Sequence, residues 1–371
     1  TDLVILDSRP MPEFNRMSIP GGVDCPGAEL VYRVHTLAPD PHTTVVVNCA
    51  GRTRSIIGSQ SLINAGIPNP VMALKDGTMG WQLAGLTCAT GETEHAPQPE
   101  GEALQAAKDR AAHVADRFGV RRTDSATVAR WQAEADRTTC LLDVRTVQEF
   151  EAGHWPGAHH APGGQLVQAT DEYVATRNAR IVLADAEDGV RATMTASWLI
   201  QLGWTDVHVL AEPPTVPETG PVDPEPALFR PAETLSVAEM QAVIDSGEPA
   251  AVVDLTESLT FRRGHIPGAY WTVRSRLTES MAALAHAGLI LLTSPDGRLA
   301  HYAAHELRAA RPDLVVRVLA GGTAAWVAAG QPMEPGLERA LTETDDVWWK
   351  PYDHQGSVRQ AMEDYLTWEV G

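Results

Sequence analysis

One pattern occurs three times in this chain and fixes most of what the chain can become. Leu6-Asp7-Ser8-Arg9, Glu13-Phe14 and Ile19-Pro20-Gly21-Gly22 return as Leu142-Asp143-Val144-Arg145, Glu149-Phe150 and Gly153-His154-Trp155-Pro156-Gly157-Ala158. They return again as Val253-Asp254-Leu255-Thr256, Phe261 and Gly264-His265-Ile266-Pro267-Gly268-Ala269. The later part of each unit repeats as well. Leu62-Ile63-Asn64-Ala65-Gly66 matches Leu199-Ile200-Gln201-Leu202-Gly203, and each precedes a short apolar run, Val71 to Leu74 and Val207 to Leu210. The third unit offers Glu306 to Ala310 and then Val315 to Leu319, while Gly77-Thr78-Met79-Gly80-Trp81 is echoed by Gly322-Thr323-Ala324-Ala325-Trp326. Short apolar strands alternating with helical stretches are the mark of a parallel sheet wrapped by helices. The sequence therefore predicts an α/β chain of three tandem domains, each a small, mostly parallel sheet flanked by helices.

The expected domains span residues 1–86, 120–212 and 232–335. Residues 87–119 read as an exposed loop followed by a helix over Glu102 to Phe118 that bridges the first two. Residues 213–231 carry seven prolines and read as a stiff linker. Residues 336–371 form a tail rich in aromatics (Trp348, Trp349, Tyr352, Tyr365, Trp368), expected to pack on a neighbouring domain. A helix precedes the first strand in the second and third units, Ser125 to Ala135 and Ser236 to Ser246. The first unit starts at its strand with no initiator Met, so the amino terminus of the native protein is expected to be missing.

The three units part company in one loop. In the first, the buried strand Val45-Val46-Val47 runs into Asn48-Cys49-Ala50-Gly51-Arg52-Thr53-Arg54-Ser55, and Ile56, Ile57, Gln60 and Ile63 then fall at helical spacing. Cys49 is thus placed at the carboxyl end of a strand, in a tight turn that opens a helix. Backbone N–H groups converge in such a turn, and the helix amino terminus adds partial positive charge. With Arg52 and Arg54 alongside, the thiol is expected to lie below the ordinary cysteine value of about 8.5 and to be largely thiolate at neutral pH. The equivalent loops read Ala184-Asp185-Ala186-Glu187-Asp188-Gly189-Val190-Arg191 and Ser294-Pro295-Asp296-Gly297-Arg298, without a cysteine. A carboxylate there repels an anionic substrate and neither loop offers a thiolate, so these two domains are expected to be catalytically silent.

A net charge of −19 argues against nucleic-acid binding, which needs clustered Lys and Arg. No apolar run approaches the roughly 20 residues of a membrane span. Four scattered cysteines (Cys25, Cys49, Cys88, Cys140) have neither metal-ligand spacing nor the density of a disulfide scaffold. A reducing cytoplasm is expected, with no metal and no cofactor.

Taken together, Leu-Asp-x-Arg, Glu-Phe, Gly-His-x-Pro-Gly-Ala, the strand-Cys-loop-helix and the Gly-Gly-x-x-x-Trp ending resemble the rhodanese (sulfurtransferase) family, over roughly residues 1–86, 120–212 and 232–335. The resemblance implies that Cys49 is the nucleophile, that Ala50, Gly51, Arg52, Thr53 and Arg54 form the cradle binding the substrate anion, and that sulfur moves through a Cys49 persulfide. It implies a small anionic sulfur donor such as thiosulfate and a thiol or cyanide acceptor. The usual loop glycine lies one place earlier here, at Gly51. Two other readings stand beside it. A phosphatase or arsenate reductase of this fold uses the same thiolate and cradle, but with a loop one residue longer than the four residues between Cys49 and Arg54. A scaffold that senses sulfur or redox state would give the silent domains a protein partner.

The repeat also sorts the remaining residues. Asp7, Asp143 and Asp254 recur whether or not a cysteine follows, so they are expected to fix the strand-end loop, and Arg9, Arg145, His154 and His265 to be structural hydrogen bonders. Trp81 and Trp326 are expected to pack. Cys25 and Cys140 are read as packed cysteines and Cys88 as an exposed one, with Cys25 the alternative candidate for a relay thiol.

Overall fold

The computed structural model describes residues 2–174, 176–221, 230–353 and 356–370. The chain forms two compact units, Thr1–Asp223 with Met362–Gly371, and Pro224–Ala361. Part of the Pro-rich stretch read as a linker lies outside the described residues.

The first unit holds two sheets. In one, strands β1 (Leu3–Asp7), β2 (Gly22–Asp24), β3 (Thr44–Asn48) and β4 (Val71–Ala73) lie in the order β2-β1-β3-β4. In the other, β5 (Arg121–Arg122), β6 (Thr139–Asp143), β7 (His159–His160), β8 (Arg180–Ala184) and β9 (Val207–Leu210) lie in the order β5-β9-β8-β6-β7. The second unit repeats that order with β10 (Thr234–Leu235), β11 (Ala250–Asp254), β12 (Tyr270–Trp271), β13 (Leu289–Thr293) and β14 (Val315–Leu319), as β10-β14-β13-β11-β12. Every named pairing is parallel, as apolar strands covered by helices on both faces require. The three-sheet α/β reading of the sequence holds.

The bridging helix, Gly101–Phe118, explains why the first two sheets form one unit. Its Ala107, Ala111 and Val114 are buried in a core that takes Leu30, Val31 and Val34 from the first domain and Val190 and Met194 from the second. Small residues on one stripe let three helices approach closely, and the apolar surface removed from water holds them.

The recurring residues are structural. Asp7 accepts from Arg9 N, Nε and Nη2 and from Asn48 Nδ2, tying the ends of β1 and β3 together. Asp143 holds Arg145 in the same way. In the second unit Asp254 accepts from Thr256 N and Thr323 Oγ1 instead. His154 stacks on Phe150 and His265 on Phe261, with ring centroids 3.8 and 3.7 Å apart. Trp81 and Trp326 each donate an indole N–H to a carbonyl of the following loop, Thr87 and Pro332. Cys25 is fully buried, as expected. Cys140 lies within β6, half-buried and packed against the core of the second domain, and Cys88 is half-buried rather than exposed.

The aromatic tail divides. Trp349 lies under the Arg262 guanidinium, 4.6 Å from ring centre to Cζ, within the second unit. Tyr365 and Trp368, near the end of the Val358–Trp368 helix, belong to the first unit.

Candidate active site

The site is built from the end of β3 outward. Val45 and Val47 are buried on alternate positions, and the register pairs Asp7 with Asn48. Cys49 is the next residue, and the helix Thr53–Asn64 starts four residues on. The peptide groups just after the strand are pinned from below, because Thr78 N donates to Cys49 O (3.0 Å) and Met79 N to Ala50 O (3.0 Å). That contact requires Gly77, whose φ is +56° and whose absent Cβ would collide with Cys49 O.

The Gly51 and Ser55 N–H groups and the Ser55 hydroxyl face the Cys49 sulfur, and Arg54 adds charge. All of them favour thiolate. Burial nevertheless wins: Cys49 is 2% exposed, and its thiol is pushed above its ordinary value rather than below it. The expectation of a largely ionised thiol is corrected on this point. The reason lies in the surroundings. Desolvation outweighs Arg54, which is held by a bidentate pair with Glu13 (3.1 and 2.8 Å) and still favours the thiolate, and elements remote in sequence line the space beside the sulfur.

One of those elements is the tail. Glu369 Oε1 accepts from Arg52 N (3.2 Å), Thr53 N (3.1 Å) and Thr53 Oγ1 (2.8 Å). A carboxylate therefore occupies two amides and a hydroxyl of the loop read as an anion cradle. Its Oε2 is buried without a hydrogen-bond partner, and the approach is close enough that a Cβ on Gly51 would strike it.

Beside the sulfur lies a cavity of about 420 Å³, lined by Cys49, Ala50, Gly51, Thr53 and Arg54 of the loop. Its other walls come from the first domain (Ala28, Ile57, Ser61), from the second (Val167, Met194, Trp198, Leu202) and from Tyr365, Trp368 and Glu369. Five of the six residues singled out in the sequence meet here. Arg52 contributes its backbone N–H, and its side chain is not part of the lining. Cys25 is buried in the core and does not line this cavity. Sequence reasoning missed Glu13, Ser55, the second-domain wall and Glu369. Glu13 alone left a trace, because Glu-Phe recurs in the second repeat.

Strand register places Asp185 and Ser294 where Cys49 stands, since Asp143 pairs with Ala184 and Asp254 with Thr293. Asp185 is fully buried and accepts from Ala186 N (2.8 Å), Ala192 N (2.9 Å) and Arg191 Nε (3.0 Å). Arg191 reaches on to Glu149 (2.8 and 3.0 Å) and Glu29 (3.1 Å). In the second unit, Ser294 Oγ accepts from Ala300 N (3.3 Å).

A family model described as "Rhodanese-like domain" matches residues 1–84, 125–212 and 236–329. The crystal structure of a thiosulfate sulfurtransferase from Pseudomonas aeruginosa is 48% identical, with a TM-score of 0.92, and the match covers 100% of this chain and 70% of that one. A Rhodopseudomonas palustris protein described as a possible tyrosine phosphatase is 25% identical, over 28% of this chain and 84% of its own, with a TM-score of 0.26. A rhodanese-like domain from Anabaena sp. is 24% identical, over 32% of this chain and 90% of its own, with a TM-score of 0.26. No curated protein matches the chain.

Proposed function

The chain belongs to the rhodanese-like family, and from that premise we propose that it is a thiosulfate sulfurtransferase whose one working nucleophile is Cys49. The observation that carries this reading is the strand-end loop around Cys49: inward N–H groups, a hydroxyl and an arginine about one sulfur atom. The thiosulfate sulfurtransferase that matches the whole of this chain, over 70% of its own length, supports the donor.

The reaction starts with loss of the Cys49 proton to solvent. The thiolate attacks the outer sulfur of thiosulfate, a bond forms from Sγ to that sulfur, the sulfur–sulfur bond breaks, and the electron pair departs on sulfite. Amides 51–55 and Arg54 sit where negative charge develops and stabilise it. Cys49 is left as a persulfide anion held by the same donors. An acceptor thiolate or cyanide then attacks the outer sulfur, and the pair of the broken bond returns to Sγ. Donor oxygens and the Glu369 carboxylate call on the same Arg52 and Thr53 groups, so Glu369 has to move aside as the donor binds.

The second and third domains are silent in this scheme, because neither Asp185 nor Ser294 can carry a sulfane sulfur. Four free cysteines fit a reducing cytoplasm. No helix among the described residues is long and apolar enough to cross a membrane. The test is intact-mass spectrometry after thiosulfate treatment: the protein gains one sulfur atom, and peptide mapping finds it on Cys49. A mass gain on another cysteine, or none, overturns the assignment.

A further inference from the structure

We propose that the cavity beside Cys49 is the acceptor subsite and that it takes an organic thiol with an aromatic or branched apolar body, uncharged or cationic. The proposal rests on the sulfurtransferase reading of Cys49 and deepens it.

Size is the first argument. A cavity of about 420 Å³ falls within the roughly 300–1,000 Å³ of sites that enclose organic ligands. Thiosulfate or cyanide, with five heavy atoms or fewer, would leave most of it as water against apolar walls.

The walls are the second. Val167, Met194, Trp198, Leu202 and Trp368 present hydrocarbon and indole faces toward the cavity. The Trp198 N–H already donates to Ser61 Oγ (2.7 Å), so its ring offers a face and not a polar handle. Leu202 and Trp368 stand 57% and 64% exposed at the margin. Large apolar side chains left open to solvent beside a reactive sulfur are what an apolar ligand body would cover. The silent second domain thereby acquires a part in the reaction, since it supplies four of these five apolar side chains.

Charge is the third. Of the ionic groups on the wall, Arg54 is paired with Glu13, whereas Glu369 keeps a buried oxygen without a partner. A carboxylate so placed disfavours an anionic acceptor and accepts from an N–H or ammonium group. The chemistry balances without a further reactant. The acceptor thiolate forms a bond to the outer sulfur of the Cys49 persulfide, the bond from that sulfur to Sγ breaks, and Sγ recovers the electron pair as thiolate. The product is the acceptor persulfide.

The full chain is first charged with thiosulfate, and the excess is removed. Discharge of the added sulfur is then followed by intact mass with 2-phenylethanethiol, 2-mercaptoethanol and 3-mercaptopropionate at equal thiolate concentration. The expected result is discharge by 2-phenylethanethiol about tenfold or more faster than by 2-mercaptoethanol, with 3-mercaptopropionate slowest. The phenyl-to-hydroxyl preference is expected to collapse in Trp198→Ala. It is also expected to collapse in Leu202→Asp, a change at an exposed position that spares the core. Equal rates for the first two thiols, or a preference unchanged in both variants, would overturn the acceptor assignment while the charged Cys49 leaves the sulfurtransferase reading standing. Failure to charge at all would overturn both.

Discussion

The loops after β3 and β8 have the same frame and opposite fates. Both end a buried strand, both open a helix, and both carry an arginine bound bidentately to a glutamate, Arg54 to Glu13 and Arg191 to Glu149. That ion pair is therefore a property of the frame and not a mark of catalysis. The difference lies in the source of the anion. The second domain has its own, Asp185, fixed to the strand end and gripped by two amides and Arg191. The first domain carries a thiol there, and its amides take a carboxylate from Glu369, 317 residues away. An anion built into the strand cannot leave, whereas one delivered by a tail can be exchanged. A loop of this shape calls for negative charge, and under the proposed function the first loop works because its anion can be exchanged.

The largest effect that tests this comparison is loss of the nucleophile. Cys49→Ser is expected to abolish sulfur loading from thiosulfate, by at least ~10³-fold, with the loading read by mass. Residual loading at Asp185 or Ser294 is not expected, and its appearance would break the contrast between working and silent loops. Next comes the fixed anion. Asp185→Asn is expected to destabilise the first unit by about 3 kcal/mol in urea unfolding, since it leaves Arg191 buried with one partner fewer. This is the low end of the usual range because Glu149 and Glu29 still compensate the guanidinium. A loss below about 0.5 kcal/mol would show that Asp185 is not the counter-charge the second loop depends on.

The state of the thiol gives a third, smaller effect. Burial holds the Cys49 thiol above its ordinary value, so the thiolate fraction at neutral pH is small and climbs with pH. Iodoacetamide alkylation of Cys49 is expected to accelerate about tenfold per pH unit between pH 6 and 8. A thiol pulled below 7 by its loop would instead give a rate that flattens in this window. Peptide mapping separates Cys49 from Cys88 and Cys140, the half-buried cysteines.

That correction marks the boundary of what the sequence discloses. The sheets, the bridging helix and the strand-Cys-loop-helix are local patterns or repeats, and they were legible. The N–H groups around Cys49 are local too, so the stabilising half of its electrostatics could be read. Desolvation could not, because the cavity beside the sulfur is walled in part by the second domain and by a tail with no counterpart in the repeats. Glu13 lies between these cases. Arg54 and Glu13 are present together in the first repeat, as are Arg191 and Glu149 in the second. Leu299 and Thr260 replace both in the third. The joint loss announces a contact, but reading it requires alignment from the helix side, since the second loop carries one residue more than the first.

Glu369 turns the comparison into a test on a single residue. If it merely decorates the helix start, neutralising it changes little beyond a fraction of a kcal/mol. If it holds the place of the donor's oxyanion, thiosulfate must displace a charge-assisted contact to two amides and a hydroxyl before it binds. Glu369→Gln keeps the shape and an acceptor oxygen but removes the charge. The variant is expected to show a KM for thiosulfate about tenfold lower, corresponding to ~1.4 kcal/mol of competition relieved, with kcat altered much less. An unchanged or raised KM would mean that the carboxylate does not compete with the donor. The first loop would then need another explanation for tolerating a negative group beside a sulfur that has to ionise.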